Sequence, residues 1–471
     1  MNIQIMDEPE LEFAGGGRHI DMRFGLNHFG PLDIEVPRMR SIPIGIVGTN
    51  ESIEGLRLWL DRCRGEIAAK QSPYANFYVP FPGFRPDAGL RSTLLIESRT
   101  QVVVSAKEVS RLTAAPSNDA VSDLVELFLD GVRHVVGKAR LGVVLCAPPV
   151  AVLEAVQRTP TLAQSFTYDF HDLLKARAMQ IGVPIQLIWP YTYDSSKKRK
   201  QKRRPDRVRG QQDEATRAWN LHSALYYKAG GILWRMTRDA SQLMSCCVGV
   251  SFYKSLDGEK IFTSMAQVFN ERGDGLIVRG NQATISKDDR QPHLDSQGAK
   301  DLLKTALATY KLEHRTMPAR IVIHKTSSYS SDEFSGFRAA ANDHGIDSVD
   351  FLSLGDSYMR LFREGSHPPL RGTFLNLDEK THILYTKGSV DFFGMSPGLY
   401  VPLPLLVRCE SMEQTPLFLA QEVLGLTKMN WNNTQFDGRD PITVRGARQV
   451  GAILKYVAVG EKIEPGYGHY M

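Results

Sequence analysis

Thiols are scarce in this chain of 471 residues, and their spacing excludes most thiol chemistry. The five cysteines (Cys63, Cys146, Cys246, Cys247 and Cys409) include no C-x-x-C pair, so neither a zinc ribbon nor a dithiol redox motif can be written. An odd count without metal spacing fits reduced thiols in a cytoplasm. Long apolar runs are missing too: the stretches at Ile185–Pro190 and Leu141–Leu153 are too short or too broken to cross a bilayer. The opening residues, Met1 to Glu8, have no basic n-region and no apolar h-region, so no signal peptide is expected. Gly45 and Gly48 fall short of Gly-x-Gly-x-x-Gly, so no NAD chemistry is expected in this chain. Ser251 lacks a Gly-x-Ser-x-Gly elbow and an identifiable base. No internal repeat is present.

What remains is an ordinary globular composition, 42% hydrophobic and 23% charged, at a length that predicts two or three domains. The net charge of +5 is unevenly spread. Residues 197–209 carry nine basic side chains (among them Lys197, Arg199, Lys202 and Arg207) against Asp206, a local +8 that leaves the rest of the chain at −3. A basic run of this kind is either a solvated insertion or a polyanion contact, and the two readings are compatible.

Residues 1–40 read as an extended lead-in punctuated by Gly15-Gly16-Gly17 and Phe29-Gly30-Pro31. From Ser41, buried-strand runs alternate with amphipathic helices. Strands are expected at Ile42–Gly48, Leu94–Ile96, Leu141–Leu145 and Ile185–Ile188; helices near Ser52–Lys70, Ser117–Arg133 and Thr167–Ile181. That alternation predicts a parallel, Rossmann-like sheet, which would bind ligands at the carboxyl ends of its strands. A helix at Trp219–Thr237 follows the basic insertion, 195–212. A second domain then opens with a hairpin: Cys246–Lys254, a turn at Asp257-Gly258, and Ile261–Gln267. Helices near Gly298–Lys311, Ser331–His344 and Gly446–Val457, with strands at Arg320–His324, Val349–Leu354, Gly372–Asn376 and His382–Tyr385, complete an RNase H-like order. The expected fold class is α/β, with domains at 41–237 and 238–471 after the 1–40 lead-in.

An RNase H-type sheet opens with such a hairpin and carries a mid-strand carboxylate to hold Mg²⁺. Here that position is Ser251, and a hydroxyl cannot replace an anionic oxygen ligand for paired hard cations.

Several stretches together resemble the MID and PIWI domains of a short prokaryotic Argonaute. They are Glu8-Pro9-Glu10-Leu11-Glu12-Phe13, Phe24-Gly25-Leu26 and Gly30-Pro31-Leu32-Asp33 in the lead-in, and Leu426–Thr434 with Pro441-Ile442-Thr443-Val444 near the end. The resemblance covers essentially the whole chain and implies a Rossmann-like MID domain followed by an RNase H-like PIWI domain. It also implies a pocket for a guide 5′-phosphate. His171 and Lys175 stand at i, i+4 on one helix face, Gln186 follows the Gly182-Val183-Pro184 turn, and Lys228 precedes Gly230-Gly231. Apart from this order, His171 and Lys175 read as a surface pair. By the same resemblance the terminal carboxylate, here on Met471, would help Mg²⁺ bridge to that phosphate; read alone, the tail is a frayed end.

The implied catalytic tetrad is absent. Ser251 and Thr326 stand for aspartates, the last position falls near Asn430 or Asn432, and no glutamate occurs between Glu271 and Glu313. The resemblance therefore implies a non-cleaving, cytoplasmic guide-RNA-binding subunit that recognises single-stranded DNA. It would activate an APAZ-domain effector of sirtuin-like, TIR or nuclease type in defence against plasmids or phage. Lys254, Arg279, Lys325 and Arg439 are candidates for nucleic-acid backbone contacts. Two alternatives remain: a guide-independent nucleic-acid-binding structural subunit, and a nuclease using displaced Asp288 and Asp289.

Overall fold

The computed structural model describes residues 2–158, 167–194, 196, 200–201, 204–208, 211–237, 243–269, 275–364, 368–394, 402–436 and 438–471. The side chains of 157–158, 200–201, 204–208, 266–269 and 313 are excepted. Of the basic run, residues 197–199, 202–203 and 209 lie outside the described residues; Lys200–Gln201 and Arg204–Val208 pair as two antiparallel strands.

The lead-in is woven into the rest of the molecule. Strand β1 (Asn2–Ile5) pairs antiparallel with Thr373–Asn376, and Leu11–Glu12 lies between Arg18–His19 and Arg235–Met236. Helix α1 (Met22–Phe29), not foreseen in the sequence, is capped by Asp21, whose carboxylate accepts from the amides of Arg23 and Phe24. The carboxylate of Glu8 is buried against Arg371 Nε at 2.8 Å and Lys428 Nζ at 3.1 Å, so the first residues are anchored to the last third of the chain.

Next come β2 (Ser41–Gly48), α2 (Asn50–Arg62), β3 (Thr93–Val103), a short helix at Ala106–Ala114, and α3 (Asn118–Val136). They are followed by β4 (Val143–Ala147), α4 (Val150–Arg158), α5 (Phe170–Ala178), β5 (Ile185–Leu187) and α6 (Glu214–Lys228). The four strands are parallel in the order β3-β2-β4-β5, the Rossmann-like sheet expected. Its central strands are apolar throughout because both faces are covered; every residue of Val143–Ala147 is buried. Thr49, Ser117, Asp169 and Asp213 each accept a first-turn amide and fix where α2, α3, α5 and α6 begin. Helix α6 starts earlier and ends earlier than the expected Trp219–Thr237. Gly230, at φ +87°, turns the chain so that Arg235–Met236 can pair with the lead-in. Helix α2 likewise stops at Arg62 rather than Lys70.

The second half contains β6 (Ser245–Lys254), β7 (Ile261–Phe269), β8 (Gly275–Ile285), α7 (Ser296–His314), β9 (Arg320–Lys325) and α8 (Ser331–Asn342). It continues with β10 (Ser348–Asp356), β11 (Thr373–Asn376), β12 (Thr381–Leu384), β13 (Leu405–Ser411), α9 (Pro416–Leu426) and α10 (Ile442–Leu454). The β6–β7 hairpin turns at Asp257-Gly258 as expected: Asp257 accepts from the Glu259 amide at 3.0 Å and Gly258 takes φ +75°. Strands β8-β7-β6-β9-β10 lie in that order, with β6, β9 and β10 mutually parallel, which is the RNase H-like arrangement. Beyond β10 the sheet extends through β13, β12 and β11 to β1.

Helices α7 and α8 cover one face of this sheet, and α10 crosses the other. The face under α10 shares its apolar core with the Rossmann-like half. There the Trp431 ring stacks on Tyr227 at 4.8 Å and 8°, and its indole donates to Trp234 O at 3.2 Å. Among the described residues no helix is long and apolar enough to cross a membrane.

Helix α10 lies so close to β6 that Gly249 has no room for a side chain: a Cβ there would come within 2.1 Å of the Thr443 carbonyl oxygen. The Gly249→Ala variant is expected to lose roughly 3 kcal/mol of stability, because backbone must move to relieve the overlap. A denaturant melt with unchanged slope and unchanged midpoint would refute this close contact.

Candidate nucleic-acid interface

Two lysines from different helices meet at the end of the chain. Asp169 caps α5, so His171 and Lys175 occupy its first two turns. Lys175 is fully buried; its Nζ donates to the main-chain oxygen of Met471 in a short contact and lies 3.4 Å from Tyr470 O. Lys228, the last residue of α6, donates to the same Met471 oxygen at 2.6 Å and to Ile185 O at 3.0 Å. Gln186 follows Ile185 on β5; its Nε2 donates to Leu187 O at 3.1 Å, and its Oε1 is buried without a partner. His171 stands at the rim, 41% exposed, with Nδ1 at 2.8 Å from Asp172 Oδ1. The final residues are packed, not frayed. Met471 and Tyr470 are buried, Tyr470 Oη donates to Glu464 O at 2.9 Å, and Tyr467 Oη donates to Gln449 at 2.6 Å.

Burial pushes Lys175 down to about 7, against the opposing pull of Asp172 and Asp169. Lys228 is pushed well below the usual lysine range, by burial first and by Lys175 second. Burial and Lys175 together also lower His171. Such a pocket disfavours its own positive charges until an anion enters, and a phosphate monoester would supply two negative charges. Asp169, His171 and Asp172 bring three ligand atoms within 4.8 Å of one another, a set of oxygen and imidazole groups that could hold a divalent cation. Asp169 and Asp172 were not singled out in the sequence; their only signal there was their place around His171 at a helix start.

The nuclease-like positions form a second cluster. Ser251 is buried on β6 opposite Ser264, whose Oγ donates to Ala447 O at 2.8 Å. Thr326 follows β9 directly and its amide reaches Val250 O at 3.3 Å, so Ser251 within β6 lies beside Thr326 at the end of β9. Helix α10 sets Thr443 against β6 and Ala447 against β7. Asn430 and Asn432 belong to the loop ahead of that helix. With its amide oriented to satisfy its neighbours, Asn430 accepts from both terminal nitrogens of Arg445 at 3.3 Å and from Asn433 at 3.0 Å.

Of the four basic residues expected along a nucleic-acid backbone, three are committed to the protein itself. Lys325 is buried: its Nζ lies 2.6 Å from Glu333 Oε2 and 2.6 Å from Ser328 O. Arg279 closes the end of α10, donating to Leu454 O at 3.0 Å and Ala458 O at 2.7 Å. Arg439 pairs with Asp356 at 2.6 Å and Asp440 at 3.0 Å. Lys254 alone is exposed, at the end of β6. The Asp288–Asp289 turn is a surface turn in which Asp289 accepts from Ser328 Oγ at 2.6 Å and lies 2.9 Å from His293 Nε2.

No protein-family model matches this sequence, and no curated protein does. Solved structures do. The structure of Clostridium butyricum Argonaute bound to a guide DNA and a 19-mer target DNA superposes with a TM-score of 0.63 at 14% identity, covering 98% of this chain and 53% of that one. Drosophila Piwi gives 0.61 at 13% identity, covering 100% and 56%; Aa-Ago with externally bound siRNA gives 0.59 at 15%, covering 98% and 54%. The chain has an Argonaute-like fold, and it spans about half the length of these proteins.

The depressed lysines set the sign of a pH dependence. Entry of a dianion raises both toward their ordinary range, so binding takes up protons and weakens as pH rises above 7. If a 5′-phosphorylated oligonucleotide binds there, its preference over a 5′-hydroxyl one is expected to fall by up to about tenfold per pH unit for each lysine that takes up a proton between 7 and 9, and Lys175→Met should reduce the slope. A preference independent of pH in the wild type would refute the neutral state of the empty pocket.

Proposed function

We propose that this chain is the guide-binding subunit of a defence complex. It holds a 5′-phosphorylated small guide RNA in the Lys175–Lys228 pocket and recognises complementary single-stranded DNA. The observation that carries this reading is the convergence of two buried lysine nitrogens on one oxygen beside Gln186 and His171. Lysines there act as point charges on a phosphate, while the rim histidine stacks on or donates to the first nucleotide. Mg²⁺, when bound, would add positive charge beside the phosphate, with Met471, Asp169 and Asp172 as its ligands.

The PIWI-like half does not cleave in this reading, because Ser251, Thr326, Asn430 and Asn432 offer no anionic oxygen for paired metal ions. Base pairing supplies sequence specificity and the protein contacts backbone and helix shape. An associated APAZ-domain effector of sirtuin-like, TIR or nuclease type supplies the response, such as NAD⁺ depletion, in the cytoplasm. The guide-independent alternative rests on the basic segment 197–209 alone.

The test is to purify the chain with its effector partner, extract bound nucleic acid, and sequence its 5′ ends. RNAs of uniform short length bearing 5′-phosphates are expected, with recovery reduced at least about tenfold in the His171→Ala, Lys175→Ala double variant. Nucleic acid of mixed length, unaffected by that change, would favour the guide-independent reading. Cleavage dependent on Mg²⁺ or Mn²⁺ and lost on changing Asp288 and Asp289 would overturn the non-cleaving assignment.

A further inference from the structure

The ten-stranded sheet ends in two edges of opposite character. One edge is Pro292–His293, two residues long and carrying a proline, a form in which native sheets discourage further pairing. The other is β1, Asn2-Ile3-Gln4-Ile5, which has no charge, no proline and no shift of register against β11. All of its residues are exposed, Ile3 at 55% and Ile5 at 60%. Among the described residues no strand lies beyond it. A bare apolar edge of this kind is a template for another strand.

The phase of the hydrogen bonds determines which groups that edge offers. The Leu377 amide donates to Thr381 O at 3.1 Å and Thr373 O accepts from the Tyr385 amide at 2.9 Å, so alternate residues of β11 turn toward β12. Phe374 and Asn376 therefore turn toward β1, where they oppose Gln4 and Asn2. Met6 keeps the same phase, its amide donating to Gly372 O at 3.0 Å. The N–H and C=O groups of Ile3 and Ile5 are left pointing away from the sheet. Their side chains share a face with Leu375, on which Leu361 packs, and the segment carrying Leu361 leaves Tyr358 92% and Phe362 70% exposed. The arginines of that segment are turned onto main chain: Arg360 Nη1 donates to Ser357 O and Met359 O, both at 3.0 Å, and Arg363 Nε to Pro368 O at 3.3 Å.

We infer that β1 pairs with β1 of a second copy of this chain, antiparallel and about a two-fold axis through Gln4. Ile3-Gln4-Ile5 reads the same in both directions, so Ile3 of each copy falls opposite Ile5 of the other. In that register each such pair exchanges both of its hydrogen bonds, and every outward-facing group of Ile3 and Ile5 is used. No like charges meet, because residues 2–6 carry none, and the isoleucines of both copies gather on one face. The two sheets then join edge to edge. The contact is smaller than that of a permanent dimer, so the association is reversible and lies in the micromolar range.

Sedimentation of the full chain over a range of concentrations tests this pairing. The average mass is expected to rise from one chain toward two through the micromolar range, while the Ile3 and Ile5 amides gain protection from hydrogen exchange. Ile5→Pro removes one outward donor from each copy without touching a bond to β11, and should weaken association at least about tenfold. The Ile3→Lys, Ile5→Lys and Ile3→Glu, Ile5→Glu double variants change only exposed side chains, and each should stay a single chain. An equimolar mixture of these two should associate again, because unlike charges then face one another. A single chain at every concentration, whether or not a different protein pairs with β1, would overturn the inference. So would a dimer indifferent to these variants, or a mixture that stays dissociated.

Discussion

Two lysine side-chain nitrogens share one main-chain oxygen at Met471, and much of the molecule is arranged to make that contact possible. Burying even one ammonium is costly unless its donors are used. Here Lys175 comes from α5, Lys228 from the end of α6, and the acceptors from Met471, Tyr470 and Ile185. The last residues can reach them only because Tyr467 and Tyr470 are themselves buried and because Pro465 O accepts from the Ile277 amide on β8 at 2.8 Å. One cluster of polar atoms therefore joins the Rossmann-like half, the RNase H-like sheet and the tail. The apolar contact that supports it, Trp431 on Tyr227, comes from the same two halves.

The charged groups elsewhere in the core follow a different rule. Arg320 meets Asp350 at 2.7 Å and Glu422 at 2.7 Å, Lys325 meets Glu333, and Glu8 meets Arg371 and Lys428. Each of these ions is matched by an opposite charge within the chain, so removing one partner would strand the other. Lys175 and Lys228 have no carboxylate side chain in direct contact among the described residues.

Features set by neighbouring residues were legible in the sequence. Asp257-Gly258 determines a hairpin turn from two residues, and the i, i+4 spacing of His171 and Lys175 puts both on one helix face whatever lies around it. Strand and helix alternation in 41–237 likewise follows from apolar periodicity. What was not legible depended on distant partners. Asn2–Ile5 has no local reason to become a strand and does so because β11, some 370 residues away, offers an unpaired edge. Lys325 reads as surface charge by residue type. Only the fold brings Glu333 to it, and Glu333 in the sequence announces nothing more than the capping box it also forms with Ser330. Helix α6 ended early for a similar reason: Gly230 permits the turn, but the pairing of Arg235–Met236 with Leu11–Glu12 uses it.

The crowding between α10 and β6 bears on why neutral groups suit the nuclease-like positions. Ser251 lies between Gly249, which touches the Thr443 backbone, and Tyr253, which packs on Gly451. A carboxylate there would be desolvated on all sides, and it becomes tolerable only when a cation or a donor network balances it. The neighbouring hydroxyl, Ser264 Oγ, is already spent on Ala447 O, and Arg445 is held by Asn430 in its satisfied orientation. Serine, threonine and asparagine fill this region with groups that need no counter-ion. The sheet can then keep its close helix contact with no buried charge at these positions.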